Sequence, residues 1–190
     1  MKPHRQNKAV FLDRDGTIIY DRPGHYLSRP QDLRMYKDTA RALAKLKRGG
    51  YRLFLVTNQS GIGRGYFPVE TVEKIHARLQ KLLRAQGAQL DEIIYCPHHP
   101  DAKCGCRKPL PFMGDKLIRK YGISPELSFI IGDKKSDMQF GKNLGLNTVF
   151  VKTGHGNSQL EKYADAIPAD HTASGIMQAA NWILKNEIQD

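Results

Sequence analysis

The sequence lacks any long apolar segment, although 40% of its 190 residues are hydrophobic. No apolar run approaches the roughly 20 residues that a helix needs to cross a bilayer. The basic start, MKPHRQNKAV, holds no apolar stretch and no small-residue cleavage site, so it does not indicate a secretory signal peptide. These absences argue against a membrane protein, and we expect a cytoplasmic one.

Cysteine is also scarce. The chain contains three cysteines, and all of them lie between positions 96 and 106. An odd number in one short window is unsuited to a framework of disulfides, which small secreted domains use to stabilise a small core. The clustering favours a metal-binding function instead.

Acidic residues are few, with 19 against 30 lysines and arginines, so the formal net charge is +11. Such a surface either binds nucleic acid or steers small anions, such as phosphate esters, into a cleft. The positive residues are spread along the chain and form no dense arm, which favours small anions and argues against a nucleic-acid partner. The length and composition indicate one globular domain, residues 1–190, and we expect a monomer.

Short apolar segments alternate with helical patterns through the whole chain. Strands are predicted at residues 8–13, 52–57, 90–95, 127–133 and 148–151, and helices at 38–48, 68–87, 112–121, 138–144 and 173–188. This alternation predicts an α/β fold, a Rossmann-like doubly wound parallel sheet with helices on both faces. A long loop, residues 14–37, and one helix separate the first two strands, so no separate cap domain is expected.

Polar side chains follow three of these strands at the point where each one ends. Asp13 and Asp15 follow the first strand, and residues two apart in an extended segment point to the same side. Thr57 ends the second strand, and Asp133 ends the fourth. Ligands of open parallel sheets bind outside the carboxyl ends of the strands. We therefore expect these side chains to form one site.

The residue types in this site suit phosphoryl transfer. Asp13 and Asp133 can share a Mg²⁺ ion, since this cation prefers oxygen ligands. A carboxylate facing a phosphate can act as the nucleophile, and Asp15 can protonate the leaving alcohol and later activate water. A hydroxyl and a lysine, either Lys108 or Lys134, can stabilise the charge on the transferred group.

Four segments carry a family resemblance. Residues 11–17 (FLDRDGT), 56–58 (VTN), 107–109 (RKP) and 131–137 (IGDKKSD) resemble, in the same order, the four motifs of the haloacid dehalogenase superfamily of phosphatases.

That resemblance implies Asp13 as the nucleophile and Asp15 as the general acid and base, with Thr57 and Lys108 holding the phosphoryl group. It also implies a Mg²⁺ ion bound by the Asp13 carboxylate, the main-chain carbonyl of Asp15 and the Asp133 carboxylate. Asp137 would orient this metal site without binding the ion. Asp13, Asp15 and Asp133 are thus the expected magnesium residues.

The cysteine window forms a second motif, C-x-H, five residues, then C-x-C. Cys96, His98, Cys104 and Cys106 make a tetrahedral ligand set for a structural Zn²⁺ ion, and the C-x-H spacing favours His98 over His99. The alternative is three reduced cysteines beside a pair of surface histidines. A zinc loop over residues 96–109 would position the arginine and lysine of the third motif.

The zinc loop narrows the resemblance to one branch of the superfamily, which holds the D-glycero-D-manno-heptose 1,7-bisphosphate phosphatases and the histidinol-phosphate phosphatases. Residues 57–65, 132–134 and 151–154 are similar to the heptose enzymes, whereas the five-residue spacing is typical of the histidinol-phosphate enzymes. The first resemblance implies hydrolysis of the 7-phosphate through an aspartyl-phosphate, in the synthesis of the heptose precursor of lipopolysaccharide.

Three alternatives stay open: a histidinol-phosphate phosphatase, a polynucleotide phosphatase motivated by the net charge, and a non-enzymatic zinc module that binds nucleic acid. For a small-molecule sugar phosphate, the expected substrate-binding residues lie in the first loop, after the second strand and beside the motifs. They are Asp21, Gly24, Tyr26, Asn58, Gln59, Ser60, Arg64, Arg107 and Lys134. For Arg64, a solvated loop charge is an equal alternative.

Overall fold

The computed structural model describes residues 7–22, 24–163 and 166–186. Within these ranges, six strands form one sheet, in the order β3-β2-β1-β4-β5-β6. Every neighbouring pair is parallel. The strands are β1 (Ala9–Leu12), β2 (Arg52–Asn58), β3 (Glu92–Cys96), β4 (Phe129–Gly132), β5 (Asn147–Val151) and β6 (His171–Ala173). The predicted Rossmann-like parallel sheet is confirmed.

Helices connect these strands. They are α1 (Thr39–Arg48), α2 (Ser60–Gly63), α3 (Val69–Arg84), α4 (Phe112–Tyr121), α5 (Lys135–Asn143), α6 (Gly156–Tyr163) and α7 (Ile176–Lys185). The end of α4 illustrates the local chemistry. Gly122 has a φ of +60°, and its N–H donates to the Ile118 carbonyl. Glycine reaches this left-handed conformation without steric cost, so it ends the helix where the sequence predicted.

The sheet is covered on both faces. Alternate residues of β1 point to opposite sides, so Val10 and Leu12 join one apolar cluster while Ala9 and Phe11 join the other. The first cluster contains residues of α1, α3 and α7, and the second contains residues of α4 and α5. Burial on both faces explains why the central strands are continuous apolar runs. Within the described residues, no helix is both long and apolar enough to span a membrane.

The sequence prediction missed the four-residue helix α2, whose Gly-rich sequence indicated a turn, and two further elements. The first is β6, which has three residues and only one buried side chain, so it carries almost no apolar pattern. The second is α6, which has a weakly apolar sequence and follows β5 directly. The last helix starts later than the predicted range of 173–188. Position 173 belongs to β6, and α7 starts at Ile176. Positions 187 and 188 lie outside the described residues.

The beginning of α5 also differs from the prediction. This helix starts at Lys135 rather than Met138. The Asp137 carboxylate accepts a hydrogen bond from the Lys134 N–H, at 3.0 Å, which satisfies a donor at the helix start. The helix therefore begins almost immediately after β4 and fixes the position of Asp137.

The strand order places a crevice beside β1. β2 pairs with β1 on one side, and β4 pairs with β1 on the other side. Ligands of doubly wound sheets bind where the order reverses in this way. Only the long first loop and α1 separate β1 from β2. The site at the carboxyl ends of β1 and β4 is therefore the expected one.

The Asp170 side chain connects the start of β5 to the segment that leads into β6. Its Oδ2 accepts hydrogen bonds from the Thr148 N–H at 2.8 Å and the Thr148 hydroxyl at 2.9 Å, and its Oδ1 accepts from Lys142. We expect Asp170→Ala to lower the free energy of unfolding by about 1–3 kcal/mol in urea titrations, because a backbone donor loses its partner. Lys142→Ala is the control and removes only an exposed ion pair worth less than about 1 kcal/mol.

The stabilisation that Asp170 contributes should also depend on pH. Burial raises the pKa of Asp170, but the bonds from Lys142 and Thr148 outweigh it and hold the pKa below its ordinary value of 3.8. The stabilisation is therefore present above that pH and fades as the pH falls below it. Equal stabilities of Asp170→Ala and wild type at pH 7 would contradict the assignment.

Candidate active site

Asp13 lies at the crevice because it directly follows β1. Its N–H donates to the Ile131 carbonyl of β4 at 3.0 Å, and only 4% of the residue is exposed. Lys108 Nζ lies 2.7 Å from Asp13 Oδ1, from Asp137 Oδ1 and from the Val56 carbonyl. Burial would lower the pKa of Lys108, but Asp13 and Asp137 raise it above its ordinary value. The lysine is thus a fixed positive charge.

Three buried carboxylates meet at this point. Oxygens of Asp13, Asp133 and Asp137 all lie within 4.8 Å of one another. Burial, together with the negative charges of Asp13 and Asp137, raises the pKa of Asp133 to about 8, although Lys134 opposes the shift. The three carboxylates repel one another and offer only oxygen ligands. Such a set fits a hard divalent cation such as Mg²⁺. Both Asp137 oxygens already accept hydrogen bonds, from Lys108 and from the Lys134 N–H.

Two glycines allow the loops to close around Asp133. A Cβ at Gly16 would lie 2.2 Å from Asp133 Oδ2, and a Cβ at Gly154 would lie 2.3 Å from the Gly16 Cα. Both residues also have positive φ angles. Only glycine permits this approach, so the turn after β1 and the loop after β5 enclose the Asp133 carboxylate. Thr17 and the His155 N–H donate to it, at 3.2 and 2.8 Å.

Asp15 is held by a second buried group. The Arg14 guanidinium and the Gln59 amide donate to its carboxylate at 2.9–3.1 Å. Burial would raise the pKa of Asp15, but the Arg14 charge and these hydrogen bonds outweigh it and lower the pKa. Arg14 Nη1 lies 3.1 Å from His76 Nε2. Burial and the Arg14 charge lower the pKa of His76 to about 3, so its neutral ring accepts that bond.

The polar tip of β2 positions the lysine. The Asn58 side chain bonds to the Lys108 main chain in both directions, accepting from its N–H at 3.1 Å and donating to its carbonyl at 3.2 Å. The Thr57 hydroxyl accepts from the Gln59 amide at 2.9 Å. These contacts couple the second and third motifs, which are far apart in the sequence.

Two cavities share Asp15. The smaller, of about 40 Å³, is lined by Asp13, Asp15, Thr57, Asn58, Lys108, Lys134, Ser136 and Asp137. The larger, of about 880 Å³, is lined by Asp15 and by residues of the first loop that include Asp21 and Tyr26. Neither cavity is lined by Gly24, Arg64 or Arg107. The catalytic candidates are therefore together, and the substrate-binding candidates are divided between the two cavities and their surroundings.

The remaining candidates occupy distinct places. Arg64 is exposed at the end of α2, and Gly24 is exposed in the first loop with a φ of +76°. Arg107 is half-buried, and its Nη1 has no hydrogen-bond partner among the described residues. The Ser60 hydroxyl lies 3.2 Å from the Tyr26 hydroxyl, which joins the first loop to α2. Asp21 lies 3.7 Å from Lys134 Nζ.

The cysteine window forms a compact cluster. Cys96 Sγ lies 3.5 Å from Cys104 Sγ, and Cys106 Sγ lies 3.7 Å from Cys104 Sγ. His98 Nδ1 lies 3.2 Å from Cys106 Sγ and 3.7 Å from Cys96 Sγ. Zinc bonds of about 2.3 Å to sulfur and 2.0 Å to nitrogen place tetrahedral ligands about 3.5–3.8 Å apart. The four residues therefore fit a structural zinc ion, with His98 rather than His99 as the nitrogen ligand.

The cysteine cluster is tied to the rest of the site. The Gln59 N–H donates to the Cys96 carbonyl at 2.7 Å, and the Gly63 N–H donates to the Pro97 carbonyl at 2.9 Å. A Cβ at Gly63 would lie 2.1 Å from the main-chain nitrogen of His99, so α2 packs directly on this loop. The loop thus joins the tip of β2 before it reaches Lys108.

Comparisons with known proteins agree with this geometry. Residues 105–179 match the HAD-hydrolase-like family model. A D-glycero-beta-D-manno-heptose-1,7-bisphosphate 7-phosphatase of Pseudomonas putida is 41% identical over 155 residues, covering 82% of this chain and 88% of that one. The chain belongs to the haloacid dehalogenase-like phosphatases. This membership confirms the resemblance of its four motifs.

Two further relatives bear on the substrate. A D-glycero-alpha-D-manno-heptose-1,7-bisphosphate 7-phosphatase of Photorhabdus laumondii is 35% identical and covers 82% of this chain and 88% of that one. The crystal structure of the D,D-heptose 1,7-bisphosphate phosphatase of B. bronchiseptica, complexed with magnesium and phosphate, superposes with a TM-score of 0.87. It is 30% identical to this chain, and the match covers 94% of this chain and 98% of that one.

Sequence reasoning assigned no role to several residues of this phosphatase site. Arg14 lies between Asp13 and Asp15 in the first motif, and nothing in the sequence connects it to His76 on α3. His155 lies four residues beyond the predicted fifth strand, and no sequence motif marks it as a site residue. Its signal was the polar end of that strand, which reaches the same sheet edge as Asp13 and Asp133.

The cysteine cluster predicts the metal content. We expect purified protein to carry about one equivalent of zinc, because the four ligand atoms already have tetrahedral spacing. Cys104→Ser should lose most of that zinc and lower the midpoint of thermal unfolding, since structural zinc contributes to folding stability. Metal analysis by plasma mass spectrometry measures the content, with His99→Ala as the control that keeps the metal. Less than about half an equivalent in untreated wild type would contradict this.

Proposed function

We propose that this phosphatase hydrolyses the 7-phosphate of D-glycero-D-manno-heptose 1,7-bisphosphate through an aspartyl-phosphate on Asp13. The observation that carries the proposal is the placement of Asp13, Asp133 and protonated Lys108 at the β1–β4 crevice. Relatives of the same family that act on this heptose bisphosphate match most of the chain. The larger cavity beside Asp15 gives room for the sugar.

The chemistry follows from the positions of the side chains. Lys108 contacts Oδ1 of Asp13, which leaves Oδ2 to attack phosphorus. An O–P bond forms there, the bond from phosphorus to the sugar oxygen breaks, and Asp15 passes to that oxygen a proton taken from solvent. A water then attacks the phosphorus while Asp15 takes a proton from it, the bond from phosphorus to Asp13 Oδ2 breaks, and inorganic phosphate leaves. Arg14 and Gln59 stabilise the carboxylate form of Asp15 that this second step requires.

The charges around the phosphoryl group have complementary roles. Lys108, the Thr57 hydroxyl and Lys134 would bind its oxygens. Asp13, the main-chain carbonyl of Asp15 and Asp133 would hold Mg²⁺, with Asp137 fixing the lysine beside them. When bound, the ion supplies positive charge that offsets the repulsion between the carboxylates and the phosphate. The zinc loop would keep Arg107 and Lys108 in place.

Substrate binding is assigned to both sides of the crevice. Asp21, Gly24 and Tyr26 belong to the first loop, and Asn58, Gln59, Ser60 and Arg64 follow β2. Arg107 and Lys134 would bind the second phosphate, since arginine suits two-point contact with phosphate. The chain would act as a monomeric, single-domain cytoplasmic enzyme of lipopolysaccharide precursor synthesis. A higher identity to the beta-named than to the alpha-named relative supports a preference for the β anomer.

The nucleophile is tested by Asp13→Asn. We expect this variant to lose at least about 10³-fold in Mg²⁺-dependent phosphate release, because the amide cannot form the covalent intermediate. Asp38→Asn, at the start of α1, is the matched control and should keep wild-type turnover. Release measured with a phosphate-binding dye separates the two. Turnover by Asp13→Asn within about tenfold of wild type would disprove the mechanism.

The substrate is tested by a panel. It compares both anomers of heptose 1,7-bisphosphate with histidinol phosphate, fructose 1,6-bisphosphate and a 3′-phosphorylated oligonucleotide. We expect the highest kcat/KM for the β anomer of the heptose, because the larger cavity and the two arms of the site suit a bisphosphate sugar. A higher kcat/KM for histidinol phosphate or for the oligonucleotide would replace the proposal with the corresponding alternative.

A further inference from the structure

His155 joins the metal-binding carboxylate to the first loop. It lies between β5 and α6, and its N–H donates to Asp133 Oδ2 at 2.8 Å. Its ring Nε2 lies 2.8 Å from Asp21 Oδ2. A carboxylate only accepts hydrogen bonds, so Nε2 carries the proton of this contact. One residue thus bonds to both sides of the crevice.

The backbone that carries His155 is fixed. The Thr153 hydroxyl donates to the Gly16 carbonyl at 2.7 Å, and the Gly154 N–H donates to the Tyr36 hydroxyl at 3.1 Å. Gly154 also lies in close contact with Gly16, where no side chain would fit. The main chain that leads into His155 is therefore held against the turn that follows β1.

Contacts from the described residues reach only one oxygen of the Asp21 carboxylate. His155 Nε2 and, at 3.7 Å, Lys134 Nζ both approach Oδ2. Among the described residues, Oδ1 has no hydrogen-bond donor, and Asp21 lines the larger cavity beside Asp15. A hydrogen bond to a charged acceptor is strong and directional. Oδ1 consequently keeps its hydrogen-bonding capacity for a ligand in that cavity.

We infer that His155 is a positioning residue for substrate specificity. It holds Asp21 so that Oδ1 accepts a hydrogen bond from a hydroxyl of the sugar, next to the reacting phosphate. This inference rests on the proposed function for the nature of the substrate. A carboxylate fixed in advance discriminates better than a mobile one, because no side-chain freedom is lost when the sugar binds.

The experiment is a double-mutant cycle of His155→Ala and Asp21→Ala. The measured quantity is the ratio of kcat/KM for heptose 1,7-bisphosphate to kcat/KM for p-nitrophenyl phosphate, which has no sugar hydroxyl. We expect each single variant to lower this ratio about fivefold to tenfold, mainly through KM for the heptose. Since His155 acts through Asp21, adding His155→Ala to Asp21→Ala should lower the ratio by less than about twofold more.

Two further variants separate positioning from general stability. His155→Gln keeps a side-chain N–H donor and should restore most of the ratio. Asn157→Ala, an exposed change in α6, is the matched control and should leave the ratio at the wild-type value. A loss of fold would lower the activity toward both substrates together, so it would not change the ratio.

The outcomes distinguish this inference from the proposed function. Additive effects of His155→Ala and Asp21→Ala, or an unchanged ratio in His155→Ala, would overturn the positioning role even if the heptose is the substrate. If the substrate panel instead selects another phosphate ester that bears hydroxyl groups, the same cycle is measured with that compound. If it selects one without a hydroxyl group, the inference is wrong.

Discussion

Repulsion between buried carboxylates governs the structure of this site. Asp13, Asp133 and Asp137 lie within 4.8 Å of one another at the end of the sheet, and each is at most 4% exposed. Carboxylates in such a place need positive charge, which Lys108 supplies to Asp13 and Asp137 and Mg²⁺ would supply to Asp13 and Asp133. The positive charges that the cluster needs for its stability are the same charges that would bind a phosphoryl group in the proposed mechanism.

The connections around the sheet serve this cluster. The cysteine loop joins the tip of β2 and leads directly into Lys108, whose main chain bonds to Asn58. On the opposite side, the loop after β5 packs on Gly16 and donates to Asp133. Glycine occupies the points of closest approach, because a Cβ at Gly63 would lie 2.1 Å from the main-chain nitrogen of His99 and a Cβ at Gly154 would lie 2.3 Å from the Gly16 Cα. The reacting groups are therefore fixed on rigid elements, while the first loop contributes the wall of the larger cavity.

Much of this could be read from residues 8–155. Apolar runs followed by acids predicted the strands and the common edge at which Asp13 and Asp133 meet, because the ends of parallel strands must lie side by side. The spacing C-x-H and C-x-C predicted the cluster of Cys96, His98, Cys104 and Cys106. By contrast, β6 and α6 were missed, since an edge strand of three residues and a polar helix carry little apolar periodicity.

The sequence by itself determined the fold class and predicted that the carboxylates at the strand ends, and the three cysteines with His98, lie together, because each depends on residue types at short spacing or on strands that must share one edge. Only the tertiary structure decided that Arg14 holds Asp15 while bonding to His76, and that His155 connects Asp133 to Asp21. Apart from the pair of Arg14 and Asp15, these contacts join residues between 22 and 134 positions apart. No local pattern encodes such distances, since they arise only when helices and loops pack against the finished sheet.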